Sequence, residues 1–120
     1  MKLIKPCAIS AIASLLLVAC ATPQPSLYAW GSYQNQVYAH FKAEKSTPEA
    51  ELAALEKDRE AAEAKGQTLP PGFRAHLGYL YLSQGKQDEA QQQFLAEKKA
   101  FPESAVYMDF LLKTPEKDQK

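Results

Sequence analysis

The strongest helix signals of this 120-residue chain lie at residues 71–102, which read PGFRAHLGYLYLSQGKQDEAQQQFLAEKKAFP. Apolar residues recur there at three- and four-residue spacing, as they do on one face of a helix, and Gly85 interrupts the pattern. Pro102 ends it, because proline lacks a backbone N–H and its ring clashes with the preceding turn. The stretch therefore predicts two helices, from about 73 to 84 and from about 88 to 101, joined as a hairpin.

Small and large residues alternate along this hairpin in the order of one tetratricopeptide repeat, which has a Leu-Gly pair, an aromatic residue, an alanine, a second aromatic residue and a closing proline. The matching residues, predicted to pack the repeat, are Leu77, Gly78, Tyr81, Ala90, Phe94 and Pro102. Two residues depart from the pattern: Arg74 stands where the repeat commonly has a large aromatic residue, and Glu97 stands where it usually has a small one. The stretch thus resembles one repeat, and an unrelated helical hairpin is the alternative.

Helical spacing continues on both sides of the hairpin, and no stretch shows the alternation of a strand. We expect helices from about 28 to 43, from about 48 to 65 and from 104 to about 113. Ser46 or Thr47 is suited to cap the second of these, with Pro48 at its first position and Gly66 after its end. The sequence predicts an all-α fold of about four to five helices arranged as tetratricopeptide-like hairpins, since one repeat needs stacked neighbours to bury its face.

The N-terminus has the three parts of a signal peptide: Lys2 and Lys5, an apolar run over residues 8–18, and the tetrapeptide Leu-Val-Ala-Cys that ends at Cys20. The apolar run is about half the length needed to cross a bilayer. The tetrapeptide resembles the bacterial lipobox, in which the cysteine receives a diacylglyceryl group, the chain is cut before it, and the new amine is acylated, commonly with palmitate. Residues 1–19 are therefore predicted to be a lipoprotein signal peptide and Cys20 the lipidation site. A plain signal peptide with an incidental cysteine is the alternative.

The remaining chain divides into a lipidated cysteine and tether at 20–27, a helical domain at 28–113 and a flexible tail at 114–120. Ala21 follows the cysteine. In the lipoprotein signals that this one resembles, an Asp at that position marks retention in the inner membrane. We therefore expect a lipid anchor in the outer membrane, on its periplasmic face.

Charge and cysteine content exclude several classes of function. Fourteen basic and fourteen acidic side chains give no net charge, so no basic field favours nucleic acid as a partner. The only cysteines are Cys7 and Cys20, which leaves the helical domain without a disulfide or a cysteine-based metal site.

Four blocks of the chain carry a closer resemblance: residues 28–33 (YAWGSY), 70–75 (PPGFRA), 78–81 (GYLY) and 97–104 (EKKAFPES). In this order they resemble a family of small bacterial lipoproteins catalogued as domain of unknown function 4810. The resemblance implies a tetratricopeptide-like outer-membrane lipoprotein. It also implies partners among other envelope lipoproteins, because such genes often lie beside one for a lipoprotein resembling the curli secretion channel. No catalytic residue is assigned in that family.

Three aromatic residues of the first predicted helix, Trp30, Tyr33 and Tyr38, are candidates for binding a partner. Aromatic side chains are good interface anchors, and paired repeats present a concave surface. Packing of the first helix on the second is the alternative use for them.

Catalytic and metal-binding chemistry has little support in the sequence. His40 and His76 fall on different helices with no visible nucleophile or base beside them, and two distant histidines do not make a metal site. The acidic residues of the second helix and Gln91–Gln93 are predicted to form solvated faces. Glu97 and Lys98 are predicted to sit in solvent and Ser104 to cap the last helix; the alternative is that residues 97–99 and 101–104 form a partner-facing patch. We expect no enzyme activity, no metal and no cofactor.

Together these features predict a lipid-anchored, periplasm-facing protein–protein interaction module that assists assembly or stability of an outer-membrane lipoprotein complex. The alternative is a binding module for a cell-envelope ligand, such as a peptidoglycan fragment or a lipid.

Overall fold

The computed structural model describes residues 25–42 and 47–113, and its regular secondary structure is entirely helical. The all-α prediction is confirmed. The predicted signal peptide, Cys20 and the tail at 114–120 lie outside the described residues, as does most of the predicted tether. In the described part of the chain, no helix combines the length and the apolar character needed to span a membrane. The helices are α1 (Tyr33–Phe41), α2 (Pro48–Ala64), α3 (Phe73–Ser83), α4 (Gln87–Ala100) and α5 (Ala105–Lys113), with a 3-10 turn at Pro102–Ser104.

Helix α2 begins and ends where the capping signals predict. The Thr47 hydroxyl accepts a hydrogen bond from the Ala50 N–H at 3.3 Å, which satisfies one of the free donors of the first turn. Pro48 occupies the first helical position. Gly66 then adopts φ = +62°, which ends the helix at little steric cost.

Helices α3 and α4 form the centre of the core. Gly85, at φ = +72°, lets the chain reverse between them. A Cβ atom on Gly78 would lie 2.6 Å from Cε1 of Phe94, so the aromatic ring rests directly on the backbone of α3. The buried apolar side chains of the core are Leu52, Leu55, Ala62, Leu69, Phe73, Leu77, Leu80, Tyr81, Ala90, Phe94 and Met108.

The last helix starts one residue later than predicted, because the chain first makes the 3-10 turn. The predicted cap at Ser104 is not formed: its hydroxyl donates to the Phe101 carbonyl at 2.7 Å. Helix α5 packs on α4 through the buried Met108 and a bond of 2.6 Å from Lys98 Nζ to Asp109 Oδ1. The Lys98 side chain, predicted to sit in solvent, is 40 % exposed and makes this ion pair at the surface.

Helix α1 is shorter than the predicted 28–43 and begins at Tyr33. Gly31 adopts φ = +48°, which breaks helical geometry before that residue. The preceding segment pairs with the loop after α2, because the Ala29 N–H donates to the Thr68 carbonyl at 2.8 Å. Trp30 therefore lies ahead of the helix that it was expected to belong to.

Candidate functional site

Three polar side chains from three helices meet beside the core. His40 comes from the last turn of α1, Glu51 from the first turns of α2 and His76 from the first turns of α3. His40 Nδ1 lies 2.9 Å from Glu51 Oε2, and His76 Nε2 lies 2.6 Å from Glu51 Oε1. Each oxygen of one carboxylate thus faces one imidazole, and we call these residues the His-Glu-His cluster.

Glu51 is the buried member of the cluster, with 2 % of its surface exposed. The prediction of a solvated acidic face on α2 is wrong at this position. Burying a carboxylate is unfavourable unless it is hydrogen-bonded and paired. Among the described residues, the ion pairs of Glu51 are those with the two imidazoles, and its place near the start of α2 adds the positive end of the helix dipole.

The cluster was missed in the sequence because its members are 11 and 25 positions apart and sit on separate helices. Helical spacing nevertheless holds a signal. Glu51 precedes the buried Leu55 by four residues, and His76 follows the buried Phe73 by three. Residues three or four apart share a helix face, so both polar side chains fall on core-facing stripes.

An apolar groove of about 390 Å³ opens beside the two histidines. It is lined by His40, Phe41, Ala75, His76, Tyr79, Leu82, Phe94, Tyr107 and Leu111. These residues come from α1, α3, α4 and α5. Large aromatic side chains on its rim are open to solvent: Phe41 is 80 % exposed and Tyr107 is 60 % exposed. We call this feature the aromatic groove.

The three aromatic residues predicted to bind a partner occupy different environments. Trp30 is 38 % exposed and stacks on Tyr33, with ring centroids 6.4 Å apart. Tyr33 also packs on the buried Phe73 at 5.2 Å, so it belongs in part to the core. Tyr38 is 56 % exposed, and Lys42 Nζ lies 5.0 Å from the centre of its ring. Tyr33 and Tyr38 line one shallow depression on α1, which Trp30 does not line. Their role as partner-binding residues stays a prediction.

Most of the residues predicted to pack the repeat lie in the α3–α4 core. Leu77, Gly78, Tyr81, Ala90 and Phe94 are buried, whereas Pro102 is exposed at the first position of the 3-10 turn. The Tyr81 hydroxyl donates to Glu56 Oε1. Burial is the largest cause that raises the pKa of Tyr81 to about 12, and the hydrogen bond to Glu56 and the charge of Glu56 act in the same direction.

The two departures from the repeat pattern have structural roles. Glu97 is 2 % exposed and its Oε1 accepts the Gly72 N–H at 2.6 Å, so the prediction that it sits in solvent is wrong. Burial, together with the Glu97 charge, raises the pKa of Tyr33. Arg74 donates to Gln93 Oε1 and to Glu63 Oε1, each at 3.2 Å. Gln93 is buried, which corrects the solvated face predicted for residues 91–93 at that one position.

Comparison with known proteins places the chain in a family. Residues 27–111 match the family described as Domain of unknown function (DUF4810), and the chain belongs to it. No curated protein matches the sequence, and no solved structure matches the fold.

Proposed function

We propose that this member of the family is a lipid-anchored, periplasm-facing interaction module with tetratricopeptide-like packing, and that it helps assemble or stabilise an outer-membrane lipoprotein complex. In this proposal Cys20 carries the lipid and the short segment after it keeps the helices near the membrane. The aromatic groove receives an apolar helix or loop of a partner lipoprotein. The partners expected from the family resemblance include a lipoprotein like the curli secretion channel.

The aromatic groove is the observation that carries this proposal. Contiguous exposed apolar surface marks a binding site more often than isolated exposed residues do. Aromatic residues are also enriched at the centres of protein interfaces, where a few of them supply most of the binding free energy. Phe41, Tyr79 and Tyr107 are each exposed on the lining of one groove, which is the arrangement that such an interface needs.

Site-specific photo-crosslinking tests the proposal in intact cells that make the full chain. A photoreactive phenylalanine analogue replaces Tyr107 on the groove rim, and the same analogue replaces the exposed Glu60 of α2 as a control. We expect the groove position to give discrete adducts with one or two envelope lipoproteins and the control position to give none of them. Adding Phe41→Lys should abolish these adducts, because a charge on the rim opposes docking of an apolar segment.

Identical adducts from both positions, or adducts with abundant membrane proteins alone, would contradict the proposal. In that case the soluble helical part should be tested for direct binding to cell-wall fragments and lipids. Such binding would support the alternative of an envelope-ligand module.

A further inference from the structure

We propose that the His-Glu-His cluster is a binding site for a divalent transition-metal ion of the Zn²⁺ type. His40 Nδ1, His76 Nε2 and one oxygen of Glu51 are the three protein ligands. The proposal does not depend on the partner-binding function, because it concerns atoms that already converge within the isolated chain.

The positions of the ligand atoms carry the argument. One ligand atom from each residue lies within 4.8 Å of the other two. Zinc bonds to nitrogen and oxygen are about 2.0–2.2 Å long, so two ligands of one ion are at most about 4.3 Å apart. In a tetrahedral zinc site the ligand atoms are about 3.3 Å apart. The two His–Glu pairs, now 2.9 and 2.6 Å apart and each made to a different oxygen of Glu51, must therefore open, and any ligand pair near the 4.8 Å limit must close. Helix α1, which has no fully buried residue, is free to make that adjustment.

The donor set selects the class of ion. Two imidazoles and one carboxylate suit zinc and neighbouring transition metals, whereas Mg²⁺ and Ca²⁺ prefer sites made of oxygen ligands. Zinc sites with three protein ligands keep a fourth position for water or another donor. Both histidines line the aromatic groove, so that position is reached from the groove rather than through the core.

The charge of the buried Glu51 carboxylate gives an independent reason to expect a metal ion in the cluster. Glu51 is buried, and its ion pairs among the described residues are with His40 and His76, which are cations only when protonated. A divalent cation compensates the buried carboxylate without protons on either ring. Both imidazoles already point at the carboxylate, so little side-chain ordering is left for binding to cost.

Zinc titration against a chromophoric chelator tests this site. The full chain is extracted as the cell makes it, without a histidine tag, and stripped of metal. We expect one Zn²⁺ per chain, with weaker binding at acid pH because a histidine must be neutral to act as a ligand. Glu51→Gln, His40→Gln and His76→Gln should each weaken binding by at least about tenfold. Glu49→Gln alters an exposed residue in the same helix turn and should leave zinc binding unchanged.

Two measurements on the wild-type chain keep the test independent of variant folding. Co²⁺ should give the intense visible bands of a four-coordinate site, and Zn²⁺ but not Mg²⁺ should raise the unfolding temperature, since a ligand bound to the native state stabilises it. No stoichiometric zinc binding by the wild-type chain, or unchanged binding in all three ligand variants, would overturn the proposal and leave the cluster as a hydrogen-bonded contact between helices.

Discussion

Gly78 is the residue on which the closeness of α3 and α4 depends. A methyl group there would lie 2.6 Å from the Phe94 ring, which is itself buried. We expect Gly78→Ala to lower the free energy of unfolding by about 1–3 kcal/mol through overpacking. Urea unfolding of the wild type and the variant, monitored by circular dichroism, measures this change in the free energy of unfolding.

A double-mutant cycle identifies the cause. Phe94→Leu removes the ring atoms nearest Gly78, so the cost of adding the methyl group should shrink in that background. An equal cost in both backgrounds would mean that the loss arises elsewhere.

Tyr81 makes stability sensitive to alkaline pH. Its pKa is about 12 in the folded chain and near 10 when it is exposed, so the folded state holds the proton more tightly. The resulting stabilisation is fully present below pH 10 and is lost as the pH rises through 12. We expect Tyr81→Phe to flatten this alkaline decline while costing about 1 kcal/mol at neutral pH for the lost hydrogen bond.

Chemical unfolding at a series of pH values from 8 to 12 checks the Tyr81 prediction. Tyr107→Phe is the matched control, because that tyrosine is exposed on α5. A decline as steep in Tyr81→Phe as in the wild type would refute it.

Glu51 and Glu97 are the two acidic residues whose environment was mispredicted. A general rule placed both in solvent, since acidic side chains on helices usually face water. Their burial depends on partners from other helices, the two imidazoles for Glu51 and the Gly72 N–H for Glu97. Such long-range partners cannot be identified from local sequence, whereas the apolar core around Leu77 and Phe94 follows from helical spacing alone.

At the scale of elements, α1 is the most weakly held helix. It has no fully buried residue, and its start is fixed by Asp58 Oδ2, which accepts the Ser32 N–H at 2.7 Å and the Ser32 hydroxyl at 2.6 Å. We expect Asp58→Ala to speed amide hydrogen exchange in residues 33–41 by about tenfold or more, because two charge-assisted bonds are lost. Exchange in the core of α3 and α4 should change little.

Exchange measured by mass spectrometry separates local from global effects. Glu60→Ala removes an exposed carboxylate two residues further along α2 and should leave α1 unaffected. Equal acceleration in α1 and α4 would show that Asp58 supports the whole fold instead.

Several helix ends could be predicted from the sequence because a local signal determines them. Thr47 and Pro48 start α2, and Gly85 separates α3 from α4. The start of α1 could not be predicted in this way, because it depends on a positive φ at Gly31 and on hydrogen bonds to residues of α2 and the following loop.

On the scale of the whole molecule, the described helices contain no cysteine, so their stability comes from packing without disulfide cross-links. Cys7 and Cys20, the only cysteines of the chain, both precede the described helices. We therefore expect the urea midpoint of the full chain to be the same with and without a reducing agent. A midpoint lowered by reductant would contradict this account of the core.

The attachment of α1 has a mechanical consequence. The core hairpin is built from contacts close in sequence, while α1, the first of the described helices, is held by a few polar contacts and by the packing of Tyr33 on Phe73. If the N-terminal end is fixed to a membrane, a pull on the protein reaches α1 before it reaches α3 and α4. When a helix unwinds, the length that each residue contributes along the chain increases from about 1.5 Å to about 3.4 Å. Helix α1 would then act as an extensible link that yields under load while the α3–α4 hairpin beyond it stays folded.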